Sequence, residues 1–540
     1  MGTKNLNIAT DLITFSRASK GTALRKVSYG SELVTNGTFD TDTSGWERRS
    51  SGILSVDNQR LKITNGGNNT GAAIQLVSVT PNKTYKVSFS VFAGSVSTTR
   101  IFLKDLNGSN LYTNYGFNAT NQKFELFVSS STGGISIAVA VASFTQGNYF
   151  FYDNFSVKEV LYDQPDGTLQ LFNHSNNTPR IDHNADGTVK GLLIEEARTN
   201  LQPDNNSLET KSVTNLTTTA NATTAPDGTN TAVKLTINAG ETQKPRLLVG
   251  SGQDNPSNVS SIFAKAGEGS FNKIGLGAYN GSGYAAIAYF DLTTGTFDYI
   301  YKTSNRNISD YGIEPVGNGW YRIWIKPLND SGSGFVFVAS DDSTSASSAT
   351  AGNGSDGLYI WGHQVEAGAF PTSYIPTTGS TATRAADVAS IPTANFGYND
   401  DAGTVVVNGV SSHKDGDSGV FYLYENNSNF MGAKFSNHNR PNSIQTRVVG
   451  SGGDNAQLYP TPALANTSVN YAVGFATNNV SAVIDGGTIE SDTDVDLFAV
   501  SQMSIGYRGP YNDLRLNGHI KSIKYYPRRL TDTQLQELTT

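Results

Sequence analysis

The sequence has 540 residues, 16% of them charged, a formal net charge of −7, 55 glycines and no cysteine. At about 150 residues per domain, that length suggests three or four cores. The missing cysteine excludes disulfides and thiolate metal sites and leans towards assembly in a reducing cytoplasm. The negative charge argues against a general affinity for nucleic acid or for an anionic membrane surface. No apolar segment follows the first seven residues, so no signal peptide is expected, and no run approaches the ~20 apolar residues of a membrane helix. With 25 Tyr and 26 Phe among many small polar residues, the composition suits strands joined by turns.

Residues 1–30 are too few to fold alone and must dock on something later in the chain. Ile13, Phe15 and the turn Arg17-Ala-Ser19 suggest one strand and a tight turn. From Glu32 onward the chain is a train of strands. Tyr85, Val87, Phe89 and Val91 alternate with Lys86, Ser88 and Ser90, the period of a half-buried strand. Ile135–Ala142 and Tyr149–Val157 follow, and short strands spaced by Gly, Asn and Ser turns indicate an antiparallel sandwich. The opening Leu33-Val-Thr-Asn-Gly-Thr-Phe-Asp40, with Gly45-Trp46, and the closing Tyr152-Asp-Asn-Phe-Ser-Val157 give residues 31–160 a resemblance. They resemble the carbohydrate-binding jelly-roll modules found beside glycoside hydrolases.

Residues 161–206 hold two turn signals, Asp166-Gly167 and Asp186-Gly187. They end in Gly191-Leu-Leu-Ile-Glu-Glu-Ala-Arg-Thr-Asn-Leu201. Together with Phe15-Ser-Arg-Ala-Ser19 and Pro179-Arg-Ile-Asp182, this run is similar to bacteriophage virion proteins of the tail-fibre or minor structural type. In those proteins the parts lie close in sequence. Here the sandwich separates them, which reads as a domain inserted into a split structural module formed by 1–30 and 161–206. Residues 207–376 repeat the jelly-roll plan: Val233–Ile237 corresponds to Leu61–Thr64, Asn258–Ala264 to Tyr85–Val91, and Leu358–Glu366 to Tyr149–Val157. The stretch Phe370-Pro-Thr-Ser-Tyr-Ile-Pro-Thr-Thr-Gly379, continuing to Thr383-Arg-Ala-Ala-Asp-Val388, is Pro- and Thr-rich and again similar to those phage proteins, and residues 377–393 read as an extended connector across the surface. Residues 394–540 resemble a laminin-G/concanavalin-like domain. Their end carries a capping box, Thr531-Asp-Thr-Gln534, with Leu530 placed to staple against Leu535. The fold class expected is therefore all-β and multi-domain, with tandem jelly rolls, a C-terminal concanavalin-like sandwich and one short terminal helix.

The chemistry-bearing groups are few. Asp182-x-Asn184-x-Asp186-Gly187 begins like an EF-hand loop, but its twelfth position is Leu193 instead of a bidentate Glu, leaving an Asx-rich hairpin turn. Asp492, Asp494 and Asp496 read as an exposed edge. The jelly-roll resemblance implies a structural Ca²⁺ between the opening and closing strands, where Asp40 and Asp153 stand. Trp320, Arg322 and Trp324 share one strand face opposite Tyr321, Ile323 and Ile325. If the Tyr/Ile face is core, this trio is a candidate sugar platform, aromatic faces stacking on pyranose C–H surfaces. Otherwise the tryptophans are core of a sandwich buried on both sides, as Trp46 and Trp361 are read to be. Gly-x-Ser-x-Gly, Walker and His-Glu-x-x-His patterns are absent. Carboxylate pairs for glycoside cleavage need proximity only in space, but the expectation is that the chain is not an enzyme.

The reading that results is a bacteriophage virion protein, a tail fibre, spike or head fibre, assembled in the bacterial cytoplasm. Its partners would be host-surface polysaccharide and other virion proteins, with no nucleic acid and no membrane. The resemblance implies a homo-oligomer, a trimer by preference. A purely structural connector and a polysaccharide depolymerase are the alternatives.

Overall fold

In this chain, strands whose side chains alternate inward and outward pair edge to edge, and the apolar faces of successive sheets close on one another. The computed structural model describes residues 4–5, 13–118, 122–205, 207–241, 245–249, 257–269, 271–279, 284–302, 307–328, 334–340, 351–412, 417–436, 443–450, 453–460 and 468–540. They form two compact units. Lys26–Thr168 is one, and Met1–Arg25 with Leu169–Thr540 is the other.

The unit Lys26–Thr168 is a two-sheet sandwich. One sheet runs in the order Asn110–Asn118, Thr98–Asp105, Gly134–Val141, Gly71–Ser78, Glu47–Ser50. In the other, Tyr149–Tyr162 is flanked by Thr84–Phe92 and Leu61–Asn65. Phe39, Trp46 and Phe155 meet in the core, with the Trp46 and Phe155 ring centroids 4.6 Å apart. The two ends that carry the jelly-roll resemblance touch directly. Phe155 N–H donates to Gly37 O at 3.0 Å, and a Cβ at Gly37 would overlap that strand's backbone.

In the other unit, Ser212–Ala367 repeats this plan. Ala232–Ile237, Gly357–Ala367, Asn258–Ala266 and Trp320–Pro327 lie side by side in that order. They match Leu61–Asn65, Tyr149–Tyr162, Thr84–Phe92 and Gln122–Ser129 of the first sandwich in sequence and in sheet order. The C-terminal sandwich stacks the sheet containing Gly518–Tyr526, Ala402–Ser412 and Val469–Ala476 on the one containing Val388–Pro392, Gln502–Ile505 and Ser418–Asn426. The chain ends in the helix Asp532–Thr539. Its capping box is complete: Gln534 N–H donates to Thr531 Oγ1, and Thr531 N–H to Gln534 Oε1 at 3.0 Å. Leu530 and Leu535 pack into one cluster with Val406, Ala472 and Val483.

Distant segments complete this C-terminal sandwich. Thr14–Ser16 pairs with Val388–Pro392, and Val189–Ile194 pairs with Gly518–Tyr526. Phe15 and Ile194 enter its core. The run Gly191–Leu201 is thus strand, turn and strand, its second half pairing Arg198–Asn200 with Ala382–Arg384.

Residues 377–393 differ from the surface connector expected. Thr377, Arg384 and Asp387 are buried, because the charged residues of this stretch pair inward. Asp387 Oδ1 accepts from Arg17 Nη1 at 3.1 Å, and its Oδ2 pairs with Arg180. Glu195 Oε2 pairs with Arg180 Nη1 at 2.8 Å and with Arg384 Nη2 at 3.5 Å. Asp387 N–H donates to Glu195 O, and Glu195 N–H to Asp387 Oδ2, each at 2.9 Å. Arg17 Nε and Nη2 also donate to Ser19 O and Ser175 O, each at 2.9 Å. Three guanidinium and two carboxylate groups are thus paired with one another out of water, with Arg180 Nε and Arg384 Nε left without a partner among the described residues.

Removing one member leaves the rest buried and unpaired. Asp387→Ala should lower stability by about 3–5 kcal/mol in chemical denaturation. Burial opposes ionisation of Glu195, but Arg384, Arg180 and the Ser373 hydrogen bonds hold its carboxyl far below the usual range. A depressed carboxyl contributes stability above its unfolded value and loses it as pH falls below that value. The thermal midpoint of the wild type should therefore drop below about pH 4.5 more steeply than that of Glu195→Gln.

Candidate carbohydrate-binding sites

The face of Trp320–Pro327 opposite the platform candidates is core: Ile323 and Ile325 are fully buried. That condition alone does not leave Trp320 open. It is 3% exposed and packs with Phe263, Trp361 and Tyr374, its Nε1 donating to Thr224 O at 3.1 Å. The expectation that Trp320 belongs to an exposed platform is corrected here, because Phe370–Ile375 and its neighbours cover that end of the sheet. Arg322 is held in place, Nη1 donating to Thr372 O at 2.6 Å and Nη2 to Ser261 Oγ at 2.9 Å. Trp324 is half-buried and lines a cleft of about 660 Å³.

Three parts of the unit build that cleft. The second sandwich supplies Trp324 and Glu314, the interleaved segments supply Lys190 and Phe370, and the C-terminal sandwich supplies His519 and Lys521. Gly312 stands directly across from Trp324 on the adjacent strand. A Cβ there would overlap the indole Nε1 and lie 2.6 Å from Cε2, so the ring rests on bare backbone. At the far wall, His519 Nε2 lies 2.8 Å from Asp182 Oδ2, and Leu24 N–H donates to Asp182 Oδ1 at 2.7 Å. Asp182 is thereby spent on structure, and Asp186 closes the hairpin by accepting from Thr188 N–H at 2.8 Å, the Asx turn expected.

The Lys26–Thr168 unit has its own candidate surface, on the outward face of its five-stranded sheet. The cross-strand row Ile74, Ala138, Phe102 and the row Ala72, Ala140, Arg100 lie side by side. Alanines make the floor low, while Ile74 and Phe102 rise on either side. Beside them Arg100 lies over the ring of Phe144, 5.7 Å from its centroid, and Phe144 is 62% exposed. Arg49 stands next to Ala72 at the edge. An apolar trough with an aromatic wall and polar rims is the shape that receives a sugar chain. Ala138 and Ala140 were expected only as part of the strand Ile135–Ala142, and none of these residues was expected in a site.

Asp40 and Asp153 lie close enough to interact. Burial first, and then the charge of Asp40, raise the Asp153 carboxyl, with Asn154 N–H and Arg60 acting the other way. Asp40 Oδ2 accepts from Thr38 Oγ1 at 3.0 Å. Among the described residues, no group of three or more His, Cys, Asp or Glu is arranged to hold a metal, and no helix is long and apolar enough to cross a membrane.

Residues 31–132 match the model of the family described as Carbohydrate binding domain. That stretch, a β-sandwich here, is thus similar to carbohydrate-binding domains. No curated protein matches it. A solved module described as CBM4 structure and function is 16% identical, covering 23% of this chain and 99% of its own, with a TM-score of 0.21. The CBM22-1–CBM22-2 tandem domain of Paenibacillus barcinonensis Xyn10C is 16% identical, covering 63% of this chain and 97% of its own, with a TM-score of 0.21. Trypanosoma rangeli sialidase is 10% identical, covering 100% and 98%, with a TM-score of 0.23. The expectation that the chain is not an enzyme is corrected by that last similarity: sialidases stand among the structures it resembles. At such a TM-score they assign it no activity, and the carbohydrate-binding domain is the stronger signal.

Gly312→Ala should push the Trp324 indole off its strand. The expected result is a shift in tryptophan fluorescence and a loss of about 1–3 kcal/mol, which Gly312→Ser should reproduce and Asp310→Ala should not.

Proposed function

We propose that this protein is a structural component of a bacteriophage virion, a tail fibre, spike or head fibre, that binds host-surface polysaccharide during adsorption. The observation that carries the binding half is the carbohydrate-binding domain with its open trough of Ala72, Ala138, Phe102 and Arg100. A sugar ring would stack on Phe102 or Phe144, and Arg49 and Arg100 would donate to its hydroxyls. What supports the virion half is the resemblance of the Phe15, Pro179, Gly191 and Thr383 motifs to phage proteins. Their charged members Arg17, Arg180, Glu195, Arg384 and Asp387 form a single buried network, so the four pieces have a physical reason to occur together. Each copy would bind weakly, and a homo-oligomer, by preference a trimer, would multiply the affinity.

Binding of the full chain to host capsule or cell-wall polysaccharide should be measurable by calorimetry. Phe102→Ala and Phe144→Ala should each weaken it about 5- to 30-fold. Binding that both variants leave intact would remove the trough from the reading. No binding to any host polysaccharide would leave a connector role alone.

We further propose a structural Ca²⁺ at Asp40 and Asp153. Two carboxylates, one of them destabilised by burial and by the charge of the other, provide the hard oxygens and the negative charge such an ion needs. Millimolar Ca²⁺ should raise the melting temperature of the wild type and leave that of Asp153→Asn unchanged, as followed by differential scanning fluorimetry.

A further inference from the structure

We infer that the cleft around Trp324 is a second carbohydrate site, outside the family-matched domain, and that it takes a sugar bearing a carboxylate. The inference rests on the carbohydrate-binding reading above but uses different residues. A cleft of about 660 Å³ lies within the ~300–1,000 Å³ of small-ligand pockets and has room for one or two sugar rings. Trp324 supplies the stacking face. Gly312 keeps the indole flat on its strand.

The charges in the walls decide the class of sugar. Two of the carboxylates are consumed by the protein itself: Asp182 by His519 and Leu24, and Glu195 by Arg180 and Ser373. Lys190 helps His519 to hold the Asp182 carboxyl down, and both Lys190 and Lys521 line the cleft. The cleft shares Gly409, Ser468 and Lys521 with an adjoining cavity of about 460 Å³. That cavity is lined by Asn408, Asn470, Lys521 and Lys524 among others, with no carboxylate among the described residues of its lining. A chain leaving Trp324 in this direction therefore meets ammonium, amide and hydroxyl groups among the described residues. An anionic sugar gains charge-assisted hydrogen bonds there that a neutral one does not. Asp310 and Glu314, on the strand beside Trp324, suit the donating hydroxyls on the opposite edge of the ring.

The test is calorimetry of the full chain with glucuronic-acid oligomers and with neutral glucose oligomers of equal length. The acidic oligomer should bind more tightly and lose affinity as salt rises. Trp324→Ala should weaken it about 10-fold or more, and Lys521→Gln should weaken it and flatten its salt dependence. Phe102→Ala should leave this binding unchanged, which separates the cleft from the trough. Equal affinity for both oligomers, preference for an amino-sugar oligomer, or indifference to both cleft variants would overturn the inference. Thermal midpoints of the variants within a few degrees of wild type would establish that losses come from the site.

Discussion

The buried network of Arg17, Arg180, Arg384, Glu195 and Asp387 is the constraint on which the larger unit depends. Its five members come from the first 25 residues, the segment after the inserted sandwich, and the segment between the second and third sandwiches. Buried ions of this kind contribute little net stability against an apolar core, but each is costly to leave alone. The network therefore acts on specificity. Only the arrangement that brings all the pieces together gives each of these ions an opposite charge. Strand pairing then follows, with Thr14–Ser16 on Val388–Pro392 and Val189–Ile194 on Gly518–Tyr526.

The same arrangement creates the cleft. Phe370–Ile375 is held down by bonds from Ser373 N–H and Oγ to Glu195, each at 2.7 Å, and from Arg322 to Thr372 O. That segment buries Trp320 and stops short of Trp324. Two tryptophans of one strand face, four residues apart, thus have opposite fates. One becomes core beside Trp361 and Tyr374, and the other becomes a wall of an open site. The family-matched sandwich reaches a comparable surface by a simpler route, with alanines on the outward face of one sheet beside Phe102 and Phe144.

Much of the architecture was legible because period-two alternation and turn residues act locally. The strand at Tyr85–Val91, the repeat relating Leu61–Thr64 to Val233–Ile237 and the terminal capping box all rest on contacts within a few residues or on one strand's own two faces. The polar network was legible only as motifs. Arg17 and Asp387 are 370 positions apart, and nothing in either neighbourhood states that the other is its partner. The Pro- and Thr-rich composition of Phe370–Val388 pointed to a solvated connector, whereas two charges in it, Arg384 and Asp387, are drawn inside by partners elsewhere.

By itself, then, the sequence, which left open which face of Trp320–Pro327 is core, determined the all-β class with several sandwiches and the capped terminal helix. These follow from side-chain period and backbone preference, which each segment carries alone. Tertiary structure decided which residues are covered from outside, which charges are spent on one another and which remain for a ligand. Those outcomes depend on what distant segments deposit on a strand's outward face, and no local pattern records that.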